Sequence, residues 1–184
     1  MKVKLKNVVL SYPSLFETTK FDGKDTGKYE ATFLISKDAT KLIELIEQTI
    51  DQCFKEKDFK GKLPADKICF KDGDLKFNSD GEVTSGYATN MFIKVTSKMR
   101  VSIVDRNMRP VTEDDDLIKG GAIVNAQLNI WFQDNKWGKR VNAQLENLQY
   151  VSKGISFSGE SSAREEPENV WEKLDDDFID EPDF

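Results

Sequence analysis

The chain contains no histidine among its 184 residues. That absence excludes Ser-His-Asp hydrolytic sites, His-ligated metal centres and mixed Cys/His zinc fingers together. Cysteine is scarce too. Cys53 and Cys69 stand far apart and in no metal-ligand spacing, which fits small apolar side chains in a reduced compartment rather than a disulfide framework. No apolar run approaches the ~20 residues that a bilayer-spanning helix requires. The start of the chain is broken by Lys2, Lys4, Lys6 and Pro13, unlike a secretory leader. These absences lead to the expectation of a cytoplasmic protein with no membrane partner and no cofactor. Outside the C-terminal region the one acidic run is Glu113-Asp114-Asp115-Asp116. It could gather a divalent cation only if other carboxylates converged on it, and its place after Pro110 reads more naturally as a solvated turn.

What is present is a segregation of charge. Residues 160–184 hold eleven carboxylates against two bases, which leaves 25 basic and 22 acidic side chains in residues 1–159. The body is therefore mildly basic, and the acidic overall balance belongs to the C-terminal stretch. A basic body with a polyanion on its end suits a protein whose groove binds another polyanion, the tail being a built-in competitor. A merely solvating tail would also be acidic. Val170, Trp171, Leu174, Phe178, Ile179 and Phe184 argue against it, because solvation gains nothing from exposed apolar side chains.

Along the body, residues 2–12 alternate as a strand, with Val3 and Leu5 inward and then, after a change of phase, Val8, Leu10 and Tyr12. A bulge near Asn7 accounts for the change, and Pro13 ends the strand. Residues 14–27 read as a loop, and residues 28–36 as a second strand with Tyr29, Ala31, Phe33 and Ile35 inward. From Asp38, an expected helix cap, the spacing turns helical and gathers Leu42, Ile43, Ile46, Ile50, Cys53 and Phe54 on one face. Residues 57–85 read as a hairpin-bearing loop region.

Residues 86–104 form the longest alternating run, predicting one coiled strand with Tyr87, Met91, Ile93, Val95, Met99, Val101 and Ile103 inward. Gly120-Gly121 opens a hairpin with Ala122, Val124, Ala126, Leu128, Ile130 and Phe132 inward, returning through Val141, Ala143 and Leu145. A turn centred on Asn135-Lys136 sets Ile130 against Val141, Leu128 against Ala143 and Trp131 against Arg140.

The outward phase carries the candidate binding residues. Residues 86–104 turn Phe92, Lys94, Lys98 and Arg100 outward, and the hairpin adds Trp131 and Arg140, with Trp137 and Lys139 near its tip. A stripe of this kind is equally compatible with an ordinary solvated face. An outward Trp is costly in water, however, and it has two explanations. One is stacking on nucleic-acid bases, worth ~1–3 kcal/mol each, beside a guanidinium on phosphate. The other is cover by the tail or by a second subunit, as in a homodimer.

Leu10-Ser11-Tyr12-Pro13-Ser14-Leu15-Phe16, residues 29–37, Lys71-Asp72-Gly73-Asp74, residues 100–105, the Gly120 hairpin and the acidic end closed by Phe184 occur in a telling order. Together they resemble the bacteriophage single-stranded-DNA-binding proteins over nearly the whole chain. Val101 departs from that pattern, which is expected to carry proline after the arginine.

The resemblance implies a mainly β protein with one long helix: an OB-fold-like five-stranded barrel plus extra hairpin and loops, and a flexible acidic C-terminal tail. Residues 1–155 would be the ssDNA-binding domain and 156–184 the linker and tail. It implies sequence-independent binding of single-stranded DNA (ssDNA) in a groove formed by Phe92, Lys94, Lys98, Arg100, Trp131, Trp137, Lys139 and Arg140. It further implies that Asp175, Asp176, Asp177, Phe178, Asp180, Glu181, Asp183 and Phe184 compete for that groove and recruit replication or recombination proteins in the infected bacterial cytoplasm. Residues 10–16 are expected to shape the barrel rather than touch DNA. Two rivals from other classes are a carboxylate-dependent phage nuclease using residues 113–116 and a protein-interaction adaptor that binds through the Trp131 face.

Overall fold

The computed structural model describes residues 1–155; the linker and acidic tail expected over 156–184, and the domain boundary drawn there, lie outside the described residues. Period-two alternation builds the framework. The main strands are β1 (Lys2–Ser14), β4 (Tyr29–Ser36), β6 (Asn90–Ser97), β8 (Ile123–Asn135) and β9 (Gly138–Ser152). β1 pairs antiparallel with β4 and β8, β4 with β6, and β8 with β9. A parallel pairing of Thr96 with Gln144 joins β6 to β9 and closes the ring. The resulting order β1-β4-β6-β9-β8 is that of an OB-type barrel. Short strands β5 (Phe70–Asp72) and β7 (Ser102–Val104) add to β6 and β9, and β2 (Lys20–Phe21) with β3 (Lys24–Asp25) forms a ribbon in the first loop.

The inward residues fill the barrel. Leu5, Leu10, Phe33, Ile35, Ile93, Val95, Val124, Leu128, Ile130 and Leu145 are almost wholly buried. Helix α1 (Thr40–Glu56) packs on β8 and β1 through Ile46, Ile50 and Cys53. The Cys53 thiol donates to the Ile130 carbonyl at 3.4 Å, while Phe54 and Phe59 pack on Phe132 with ring centres 5.4 and 4.8 Å away. Asp38 does not cap this helix. Ala39 occupies the cap position and contributes no side-chain hydrogen bond.

The bulge near Asn7 is present: β1 gains one residue against β8 between Leu5 and Val8, and Asn7 takes φ 52°. A second bulge, unforeseen, lies between Ser11 and Ser14, where Tyr12 takes φ 44°. It carries the strand past Pro13 to Ser14 and turns Tyr12, expected inward, to the outside.

The run 86–104 is two strands rather than one. The Ser97 hydroxyl donates to the Met99 carbonyl at 2.6 Å and accepts from the Met99 amide at 3.2 Å, ending β6 in a local turn. Met99 is consequently exposed instead of inward, whereas Ile93, Val95, Val101 and Ile103 keep their core positions. The hairpin turn is Lys136-Trp137, because Asn135 pairs with Gly138. Gly138 accepts the left-handed φ of 101° that closing the turn demands, and the Asn135 side chain accepts from the Trp137 amide at 2.9 Å. The register therefore sets Ile130 against Ala143, Leu128 against Leu145 and Trp131 against Asn142. This displaces the expected pairing by two residues, and inward and outward faces are unchanged.

Candidate nucleic-acid interface

Segment 66–71 wedges beside β6 and β9. Ile68 bridges Val141, the Cys69 amide donates to the Val141 carbonyl at 3.1 Å, and the Lys94 amide donates to the Cys69 carbonyl at 3.2 Å. Burial there pushes the Cys69 thiol up to about 12. The wedge brings Lys67 and Lys71 to Lys94 on β6 and Arg140 on β9, around a cleft of about 240 Å³ completed by Thr96 and Asn142. Asp66 is the one carboxylate in its lining, 3.4 Å from Lys67.

Lys94 also lines a second cleft of about 420 Å³ on the outer face of β4 and β6, with Tyr12, Thr32, Lys76 and Phe77. Tyr12 is 66% exposed and Phe77 55% exposed. Glu30 borders this cleft and pairs with Lys94 at 2.8 Å. The two clefts share Lys94 in their linings and are taken together as a trough, with Lys67, Lys71 and Arg140 at one end and Tyr12, Lys76 and Phe77 at the other.

The trough floor rests on a separate apolar cluster. Phe92, expected as an outward stacking ring, is only 8% exposed, packed edge-on against Tyr87 at 5.2 Å beside Leu34. Segment 73–89 lies over the outer face of β4 and supplies this cover. Gly73 pins it, since a Cβ there would come within 2.2 Å of the Tyr87 carbonyl oxygen. Lys37 adds an ionic clasp, 2.7 Å from Asp72 and 2.6 Å from Asp74. Its ammonium holds both carboxyls below the usual carboxylate range, helped at Asp72 by the Asp74 amide and at Asp74 by the Thr89 amide, and they raise its own pKa.

The other candidate residues are distributed unevenly. Lys94 and Arg140 share the first cleft. Trp131 is half-buried on the outer face of β8, paired across the strands with Asn142, which lines that cleft. Trp137 is 75% exposed at the hairpin tip, with the Lys136 ammonium 5.1 Å from its ring centre. Lys139 is held by Asp134 at 2.9 Å and lies 5.1 Å from the Phe59 ring centre. Lys98 and Arg100 are exposed in the β6–β7 link, because β6 ends at Ser97. They are not brought into the trough lining.

Sequence reading missed Lys67, Lys71, Lys76, Tyr12 and Phe77. The loop lysines carry no periodic signal, and Tyr12 was in the wrong phase for an outward ring. The N-terminal lysines lie elsewhere: Lys2 pairs with Glu146 at 3.0 Å, and Lys4 and Lys6 line a cleft with Asn125, Gln127 and Asn147.

Residues 113–115 form a short 3-10 turn in which the Asp115 carboxylate accepts from the Thr112 amide at 2.7 Å and hydroxyl at 3.0 Å. Those bonds lower the Asp115 pKa, and Asp116 pairs with Lys119. The acidic run is thus engaged in local structure. Among the described residues, no group of three or more His, Cys, Asp or Glu side chains is placed to hold a metal ion.

The family model described as Enterobacter phage Enc34, ssDNA-binding protein, matches residues 1–179. A protein designated p50 from Acyrthosiphon pisum secondary endosymbiont phage 1 is 37% identical over 170 residues, covering 86% of this chain and 88% of the relative. The chain is similar in structure to the single-stranded DNA-binding protein of bacteriophage Enc34 in complex with ssDNA. The TM-score is 0.72 at 24% identity, over 85% of this chain and 89% of that one. The C-terminally truncated form of the Enc34 protein gives a TM-score of 0.71 at 25% identity, over 84% and 87% of the two chains.

Proposed function

The chain belongs to the family of the single-stranded-DNA-binding protein of Enterobacter phage Enc34, and from that premise we propose that it binds ssDNA without regard to sequence in the trough centred on Lys94. The observation that carries this reading is the convergence of Lys67, Lys71, Lys94 and Arg140 on one cleft that opens toward exposed rings. Four cations follow a phosphate backbone, and Tyr12 and Phe77 offer faces on which any base can stack. Trp131 flanks the trough one strand away and reports its occupancy. The protein acts by coating, with no turnover, in the bacterial cytoplasm during phage DNA replication and recombination.

The C-terminal stretch completes the mechanism. Asp175 to Asp183 carry the charge of a phosphate chain and Phe184 a ring that mimics a base, so the tail competes for the empty trough. Once displaced by DNA, it is available to replication or recombination proteins. Carboxylate-based nuclease chemistry is disfavoured by the engagement of Asp115 and Asp116 in a capped turn.

Titration of tryptophan fluorescence with oligo-dT tests the reading. Quenching at low salt should weaken as salt rises, with a log-log slope of roughly −0.7 per phosphate contacted. An unchanged signal at low salt would favour the adaptor. Deleting residues 160–184 should tighten binding; weaker or equal binding would refute competition.

A further inference from the structure

Tyr12 stands where two clefts meet. It lines the one containing Lys94 and Phe77, and also a third of about 650 Å³ walled by Pro13, Leu117, Lys119 and Tyr150. The backbone that makes this shared wall is unfavourable by itself. One extra residue in β1 puts Tyr12 at φ 44°, a left-handed conformation that bulky residues avoid. Without that residue, alternation from Leu10 would turn Tyr12 into the core. With it, the ring is out, while Ser11 stays buried with its hydroxyl 3.3 Å from that of Tyr87. Bulges beside binding sites re-aim side chains in this way, and strain retained at a single ring points to a use for that ring.

Resting on the groove reading above, we propose that a bound single strand passes over Tyr12 and continues from the trough into this third cleft. Tyr12 is the pivot on which a base stacks, Tyr150 supplies a second ring, and Lys119, tempered by its ion pair with Asp116, meets a phosphate. Continuity argues for DNA as the occupant: one residue lines both clefts, and Lys119 and Lys153 line the third together with the single carboxylate Asp116. Gly154 also lines this cleft, so a strand long enough to reach it lies against the root of the C-terminal extension.

The test is a length series of oligo-dT, from about 4 to about 16 nucleotides as OB-fold sites span, bound to the full chain by fluorescence anisotropy. Affinity should rise in two steps. Lys119→Gln should leave the shortest oligonucleotides within about twofold and remove about fivefold of the gain with length, the size of one phosphate contact. Tyr12→Ala should remove the second step, and Tyr12→Phe should retain it. Photocrosslinking with 5-iodo-deoxyuridine should mark Tyr150 only with the long oligonucleotides. A length gain untouched by Lys119→Gln and Tyr12→Ala overturns the proposal. So does carbodiimide coupling of Lys119 to carboxylates of residues 160–184 that persists at saturating long DNA, since the tail is then the occupant. Failure of the groove itself has another signature: Lys94→Gln with Arg140→Gln would leave short-oligonucleotide binding intact.

Discussion

On the β6–β9 side of the barrel, Lys67, Lys71, Lys94 and Arg140 line a cleft with Thr96 and Asn142; on the β1–β8 side, Lys4 and Lys6 line another with Asn125, Gln127, Asn147 and Gln149. Both are outer faces of one sheet, and both carry cations. In the second, the amides bond one another: Asn125 donates to Gln149 at 2.9 Å and Asn147 to Gln127 at 3.4 Å. In the first, Asn142 likewise donates to Gln133 at 3.0 Å, Lys94 pairs with Glu30 and Lys67 with Asp66. Lys71 donates to the Asp66 carbonyl at 3.3 Å, and the Arg140 guanidinium makes no hydrogen bond or ion pair among the described residues. What separates the faces is the number of converging cations and the rings beside them: four line the first, which shares Lys94 with the cleft of Tyr12 and Phe77, whereas two line the second and no aromatic side chain joins them.

The largest expected effect comes from under the first face. Phe92→Ala removes the ring that packs on Tyr87 beneath the trough, and should destabilise the fold by about 3 kcal/mol in urea unfolding. If stability holds while DNA binding falls, Phe92 is a contact residue after all. Next, Lys94→Gln with Arg140→Gln should weaken ssDNA about thirtyfold at low salt and flatten the salt slope by about 1.4. The matching pair Lys4→Gln and Lys6→Gln should change affinity less than about twofold. Equal losses from the two pairs would erase the distinction between the faces.

Smaller effects concern the clasp and the wedge. The Asp72 and Asp74 carboxyls are lowered by Lys37, so their stabilisation is complete above the unfolded value of about 3.9 and is lost as pH falls through their folded values. Urea midpoints of wild type and Lys37→Met should therefore differ at pH 6 and converge toward pH 2. The smallest effect is on thiol chemistry. With the Cys69 thiol at about 12, a disulfide reagent at pH 8 should leave it unmodified in the native protein and label it on unfolding.

Much of the barrel was legible because strand alternation is a local property. The inward sets of β4, β8 and β9 needed only the spacing of Phe33, Val124, Ile130 and Val141. A hairpin turn misplaced by one position slid the register by two, and a period of two forgave it. The site was less legible. The outward placement of Lys94, Arg140 and Trp131 followed from their phase, yet that phase could not tell Phe92, roofed by Tyr87, from an open ring.

The amino-acid order by itself determined which side chains face the core, where a helix replaces strand, and that the charge of the C-terminal stretch opposes that of the body. Each of these depends on neighbours a few positions away, within the reach of backbone geometry. Only the tertiary structure decided which outward residues share a trough. Lys67 and Lys71 reach Arg140 through the pairing of Ile68 with Val141, 73 positions apart in the chain, and Tyr12 faces outward through a mismatch between two strands. Such placements follow from closing the ring of strands, a condition on the whole chain that no local pattern encodes.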